Sequence, residues 1–409
     1  MSYGAARMDL KSGYPFWAVK NGLMRAFPSL LDDTQCDVAV VGGGITGALI
    51  ADELTRHGHH VAVVEQRDIG WGSTVASTAL IQYEIDTHMV DLAKKYGEAN
   101  AVLAYRGCAE AVTALAQLSG ELRDVGFRRQ QSLYYASRRR DRSELEAEFA
   151  LRAAHGFEVE WLVPASLKAW FGLDAPGAIL SALAGSLDPY RMAYRLLARV
   201  ERAGGMVCDR TKVDRIVTQP RGVELRCGEL TIRAKHVVLA AGYANEHWLA
   251  KRVAKNRSSY AYVTDPIDRA ALGMLASTLV WETARPYLYL RTTSDHRVLV
   301  GGDDDAHDKP ARRDARVDRK ARGLHDRVAR LFPTLPLDPA FAWAGTFAET
   351  EDGLPFFGAH GSLGPRVLFA MAYGGNGITY STIGAALLRA TIERRRHPLA
   401  KLFSFERIA

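Results

Sequence analysis

The chain has 409 residues, of which 48% are hydrophobic and 24% charged, with 53 Lys and Arg against 46 Asp and Glu. That composition is expected of a globular protein, and the length buries a core large enough to split into two domains. Four scattered cysteines without a C-x-x-C pair argue against a disulfide framework or a zinc site and suit a reducing cytosol.

The first residues, MSYGAARMDLKSGYPFWAVKNG, lack the long apolar core of a secretory signal, and no uncharged apolar stretch reaches the length of a membrane span. The expectation is therefore a cytoplasmic protein. Residues 1–35 form a lead-in whose Tyr14, Phe16, Trp17, Phe27 and Leu30 call for burial.

DVAVVGGGITGALIADELTRHGHHVAVVEQ, Asp37 to Gln66, follows. Val38–Val41 suits a buried parallel strand. Gly42 permits a tight turn, Gly44 lets backbone approach a pyrophosphate, and Gly47 lets a helix pack closely on the strand. The helix, from about Ile45 through Thr46 to His57, aims its N–H groups at phosphates. A second strand, Val61–Val64, ends in Glu65, where a ribose hydroxyl is usually bound. With strand, helix, strand and acid in this order the pattern reads as a dinucleotide site, without separating NAD from FAD.

A small-residue run, GWGSTVASTALIQYEID, spans Gly70 to Asp86. A helix after it is expected to place Val102, Tyr105, Ala109, Val112 and Ala116 on one face. Strand-like patterns occupy about 207–217 and 223–234, and a buried strand, Val237–Ala240, runs into Ala241-Gly242. Further on, alternation puts Tyr260, Tyr262 and Thr264 on one strand face. A hairpin puts Tyr287, Tyr289 and Arg291 on one face and Leu288 and Leu290 on the other. The tyrosine faces would line a cavity or be ordinary strand surface, since strands favour Tyr in either case.

The net charge of +7 raises nucleic acid as a partner. The densest basic segment, Lys309 to Arg330, repeats Val317, Ala321, Leu324, Val328 and then Leu331 at helical spacing. It therefore reads as a helix with a solvated charged face, and a polyanion site is disfavoured. A strand at Val367–Met371 leads to a glycine-rich loop, Gly374 to Gly377, that opens a C-terminal helix.

Four landmarks in this order carry a resemblance: VVGGGITG…VVEQ, GSTVAST, VVLAAGY and TEDGLPFFG…AYGGNGIT. The chain resembles the FAD-dependent amine and amino-acid oxidase family, the group of D-amino-acid oxidase, glycine oxidase, sarcosine oxidase and γ-glutamylputrescine oxidase. The lead-in with FW and FPSL is most similar to the last branch. The resemblance implies an α/β fold: a discontinuous Rossmann-like FAD domain with a second, α+β substrate domain carrying a mixed or antiparallel sheet. The expected division is 36–90, 180–255 and 345–409 for FAD, and 91–179 with 256–344 for substrate.

By the same resemblance, Gly42, Gly44 and Gly47 face the pyrophosphate and Glu65 the adenosine ribose, with Ile45, Thr46 and Gln66 also among the expected cofactor-binding residues. Ser73, Thr74, Ser77, Thr78 and Ala79 match the run beside the flavin. Val213 matches the strand residue at adenine, and Ala241-Gly242 the turn near the pyrophosphate. Gly374, Gly375, Asn376, Gly377 and Ile378 match the loop at flavin N1 and the C2 carbonyl, where donors and a helix dipole stabilise negative charge.

Two departures shape the expected chemistry. Gly345 stands where covalently flavinylated members place Cys, so FAD is expected to be non-covalent. Phe347 stands where amino-acid oxidases place a carboxylate-binding Arg, and Phe cannot supply a bidentate cation.

The implied reaction is oxidation of a C–N bond of an amine or amino acid, with a hydride passing to flavin N5 and the imine hydrolysed. Oxygen or another electron acceptor would reoxidise the cofactor. Tyr260, Tyr289, Arg291 and Glu349 are the candidate substrate-orienting residues, with Tyr262, Tyr287, Glu84 and Asp86 as further ones. The competing expectations are a flavin dehydrogenase with a non-oxygen acceptor and an oxidase of a modified tRNA base.

Overall fold

The computed structural model describes residues 9–408. Met1 to Met8, the start of the expected lead-in, lie outside the described residues.

Two sheets organise the chain. The first has eight strands, with the central order Phe356–Ala359, Val367–Met371, Leu230–Leu239, Thr34–Val41, Val61–Val64, Met206–Cys208. Its core pairs are parallel, with Val38 to Val41 opposite Val61 to Val64 on one side and His236 to Leu239 on the other. Strands buried on both faces need continuous apolar runs, and Val38, Ala39 and Val40 are fully buried. The helices Ile45–Arg56 and Gly377–Ile392 lie against each other beside this sheet.

The second sheet has nine strands, in the order Phe341–Glu349, Lys255–Pro266, Arg297–Asp305, Leu288–Thr292, Thr278–Glu282, Arg128–Tyr135, Ala178–Ser186, Leu80–Gln82, with Val159–Leu162 attached. It is antiparallel except where Thr278–Glu282 runs parallel to Arg128–Tyr135. The basic helix Val317–Leu331 covers one face, burying Ala321, Leu324 and Val328 as its spacing requires. On the side toward the sheet Lys320 meets Asp303 at 3.1 Å and Arg327 pairs with Glu282, while Arg316, just before the helix, meets Asp305 at 2.6 Å. The opposite face looks toward the first sheet.

The strands of the first sheet come from three separated stretches of chain, but the cut points differ from those expected. Leu80–Gln82 and Ala178–Ser186 belong to the second sheet, and the strand Phe341–Glu349 runs through position 345. The helix Glu98–Gly120 packs on Gly377–Ile392, with Ala104, Tyr105, Cys108, Ala111 and Leu115 buried. Its buried stripe is therefore rotated from the expected one, keeping Tyr105 and Val112 but leaving Ala109 and Ala116 at its margin. In the lead-in Phe16, Trp17, Phe27 and Leu30 are buried, whereas Tyr14 is 69% exposed and rests edge-on against Trp71.

Candidate functional site

The glycine turn is set by main-chain crowding. Gly42 has φ 117°, and a Cβ there would lie 2.3 Å from the Ala240 carbonyl oxygen. A Cβ at Gly47 would lie 1.9 Å from the carbonyl oxygen of Gly42, so helix and turn touch only because both are glycines. Gly47 acts through this packing and does not itself line the cavity described below. At the helix start Ile45 N–H donates to Thr74 Oγ1 at 2.9 Å, which ties the turn to the small-residue run. Glu65 accepts from Gly43 N and Arg67 N, both at 2.9 Å, and burial raises its carboxyl above the ordinary range.

From this turn a cavity of about 840 Å³ runs to the second sheet. At one end it is bordered by Gly42, Gly44, Glu65, Gln66 and Val213, and along its length by Thr46, Ala241 and Gly242. Ser73, Thr74, Ser77, Thr78 and Ala79 form one flank, and Gly374 to Ile378 another. The loop at Gly374 is held by Asp86, whose Oδ2 accepts from Gly375 N at 2.9 Å. Asp86 also borders the cavity, and burial raises its carboxyl. A Cβ at Gly375 would come within 3.1 Å of both Asp86 oxygens, so the glycine makes room for this contact.

The far wall is the open face of the second sheet. Register places Trp343, Ala261, Gly301, Tyr289, Trp281 and Tyr134 side by side across six strands. A Cβ at Gly301 would lie 2.5 Å from the Tyr289 ring, so the ring lies over its cross-strand glycine. Tyr134 stacks on Trp281 at 3.6 Å between centroids. Tyr287, Tyr289, Trp281, Ser259 and Phe347 all border the cavity. Arg285 stacks on Tyr287 at 4.8 Å.

The family described as FAD dependent oxidoreductase matches residues 37–391. The chain belongs to that family. It is an enzyme, an FAD-dependent oxidoreductase. Glycine oxidase of Geobacillus kaustophilus is 27% identical over 88% of this chain and 93% of its own length. The structure of that protein superposes with a TM-score of 0.74 over 90% of this chain and 98% of its own. Gamma-glutamylputrescine oxidoreductase of Escherichia coli is 25% identical over 93% and 89% of the two chains. L-proline dehydrogenase from P. horikoshii shares the fold at a TM-score of 0.76 and 18% identity, covering 92% of this chain and 99% of that one.

The residues of this oxidoreductase fit its cofactor. A glycine turn at a helix start, a buried acid beyond it and a second glycine loop at another helix start border one continuous cavity, as a dinucleotide with a flavin end requires. Among the described residues no helix is long and apolar enough to cross a membrane.

Three of the four substrate-orienting candidates stand elsewhere than expected. Tyr260 and Tyr262 share a face, but it is the face under the basic helix. Tyr260 Oη donates to Asp305 at 2.8 Å and Lys320 lies 5.1 Å from its ring, so only the rest of the residue borders the cavity. The sheet has two apolar sides, and alternation alone does not say which is which. Arg291 does share the face of Tyr287 and Tyr289, one step further along the strand. There it is 2% exposed, donates to the carbonyls of Thr78 at 2.6 Å and Leu187 at 3.2 Å, and lies 5.5 Å from the Trp17 ring. Burial lowers its pKa to about 10, and its guanidinium supports the Thr78 main chain instead of reaching into the cavity. Glu349 pairs with Arg257 at 2.7 Å and does not border the cavity. Glu84 is also away from it, accepting from Ser181 at 2.8 Å beside buried Arg152.

Tyr289 remains on the wall. The residues that sequence reasoning passed over there are Ser259 and Trp281. Trp281 had a signal in its aromatic character inside a strand, but its face depends on pairing with Tyr289 and Tyr134.

Proposed function

We propose that this enzyme oxidises a C–N bond of an amine or amino acid, with FAD held non-covalently, and that amines are preferred to small amino acids. The observation carrying this reading is the aromatic sheet face across the cavity from the glycine turn, with Phe347 on it and Arg291 committed elsewhere. Oxidases and dehydrogenases of C–N bonds among its relatives support the reaction class. FAD, when bound, supplies the hydride acceptor.

The chain's own groups bind and orient. Tyr287 and Tyr289 offer faces to an alkyl chain or a cation. Arg285 stands over the Tyr287 ring, with Tyr134 and Asp86 close enough to favour its charge. A substrate carboxylate set against Phe347 would be desolvated without a bidentate partner. Gly345 supports non-covalent attachment, because a Cβ there would already lie 2.9 Å from the Ala76 side chain.

Anaerobic flavin bleaching tests the reading. Primary amines and N-alkylamines are expected to reduce the flavin faster than glycine, sarcosine or D-alanine. Faster reduction by the amino acids would overturn the amine preference, and no reduction by either set would overturn the reaction class. Air reoxidation with peroxide release assigns the acceptor as oxygen, and its absence assigns another electron carrier.

A further inference from the structure

The segment from Gln82 to His88 joins the second glycine loop to the aromatic wall. Thr379 Oγ1 donates to the Gln82 carbonyl at 3.1 Å, Asn376 Nδ2 donates to the Glu84 carbonyl, and Gly375 N donates to Asp86 Oδ2 at 2.9 Å. Two residues beyond Asp86, His88 Nε2 lies 2.9 Å from Tyr134 Oη, and Tyr134 stacks on Trp281 of the cavity wall. Asp86 therefore stands where the glycine loop meets the aromatic face.

Three carboxylates border the cavity among the described residues: Glu65, Asp86 and Asp214. Glu65 and Asp214 belong to the glycine-turn end, where Glu65 accepts from Gly43 N and Asp214 pairs with Lys212 at 2.8 Å. Asp86 is the carboxylate of the other end. It is partly buried and makes no ion pair within 4.0 Å among the described residues. Its Oδ2 accepts the Gly375 hydrogen bond, and its Oδ1 is accessible and has no donor.

The surrounding charges leave this carboxylate unanswered. Arg285 acts on it from a distance, but stacks on Tyr287 at 4.8 Å, donates to the Glu282 and Ala284 carbonyls at 3.4 and 3.3 Å, and does not border the cavity. Glu349 acts in the opposite sense and is paired with Arg257 at 2.7 Å. Burial is the largest influence and holds the Asp86 carboxyl above its ordinary range. A carboxylate in this setting is stabilised by a cation that a ligand brings.

We propose that Asp86 is the specificity-determining contact for a positively charged nitrogen of the substrate. The substrate class is an alkyl- or arylamine bound as its ammonium ion, with no carboxylate beside the charged nitrogen. An amino acid would carry its carboxylate toward Asp86, with Phe347 where a cation would be needed. Tyr287, whose hydroxyl pKa is raised by burial and then by the Asp86 charge, adds an aromatic face for the cation. This deepens the C–N oxidation reading and rests on it.

Holding the glycine loop through Gly375 N needs an acceptor at Asp86 but no charge. Asparagine keeps an acceptor of the same shape, so Asp86→Asn separates a loop support from a cation contact. Calorimetry on the holoenzyme, anaerobic and with its flavin already reduced by dithionite, measures binding without turnover. The probes are 1-aminobutane and 1-butanol at about pH 8, equal in length and different in charge. In wild type the amine should bind at least about tenfold more tightly. In Asp86→Asn the ratio should fall within about twofold with flavin content retained, and Asp86→Glu, which keeps the charge, should restore part of it. A wild-type ratio near one would overturn the contact without any variant. An Asp86→Asn protein that keeps the preference, with or without a changed flavin spectrum, would overturn it as well and leave Asp86 a loop support. The two proposals fail separately. Amine preference lost in Asp86→Asn, without flavin reduction by any amine or amino acid, defeats C–N oxidation and leaves the cation contact. Flavin reduction by amines with a wild-type ratio near one defeats the contact alone.

Discussion

The glycine turn at Gly42–Gly47 and the sheet face at Tyr287–Arg291 border the same cavity, yet they are built on different principles. The turn is a local object. Gly47 is crowded by Gly42 within the same turn, and the turn's acid, Glu65, is 22 residues from its donor Gly43; only Ala240, at the end of the paired strand, comes from a distant stretch. The sheet face is a product of pairing. What Tyr289 meets depends on Gly301 across the strand, Trp281 on its other side and Thr78 from a distant stretch. The turn tolerates no side chain because backbone presses on backbone. The face assigns roles by position along a strand, so that Tyr289 borders the cavity while Arg291, two residues on, serves the main chain.

The difference can be tested most severely at the turn. Gly47→Val should give no folded flavoprotein, since its Cβ would overlap the Gly42 carbonyl oxygen at 1.9 Å and the backbone there has no room to move. The expected cost exceeds about 4 kcal/mol. Soluble expression with a normal flavin spectrum would show that the turn is softer than its packing implies.

On the face, Arg291→Met should cost roughly 3 kcal/mol, because it leaves the Thr78 and Leu187 carbonyls without their charged donor. Thermal melting should fall and flavin should be held less firmly, while the ratio of rates for amines and small amino acids stays unchanged. If small amino acids reduce the wild-type flavin and fail only in this variant, Arg291 reaches substrate after all. The smallest effect is expected for Glu349→Gln. Its pair with Arg257 is 40% exposed on the Glu side, so melting should shift by less than about 1 kcal/mol equivalent and amine affinity should not move. A large loss of amine affinity there would restore Glu349 as a substrate contact.

The dinucleotide pattern was readable because its physics is short-range. Val38–Val41, the glycines and Glu65 lie within one strand–helix–strand unit, and spacing along the chain is nearly spacing in space. The Val317–Leu331 helix was readable for the same reason, its buried face repeating at the helical period. The expected Tyr287 and Leu288 alternation is also local, and the structure keeps it.

What the sequence did not determine is which side of the second sheet faces the cavity. Period-two alternation defines two faces for each strand, and only the neighbouring strands and the covering helix decide which is inside. Tyr260 went under the helix because Asp305 and Lys320 are there to receive it. Asp304 turned away from that helix, toward Tyr287 and Tyr289, because one extra residue beside Gly302 reverses the alternation at that point. Both outcomes depend on contacts between residues tens of positions apart, and such contacts exist only once the sheet has formed.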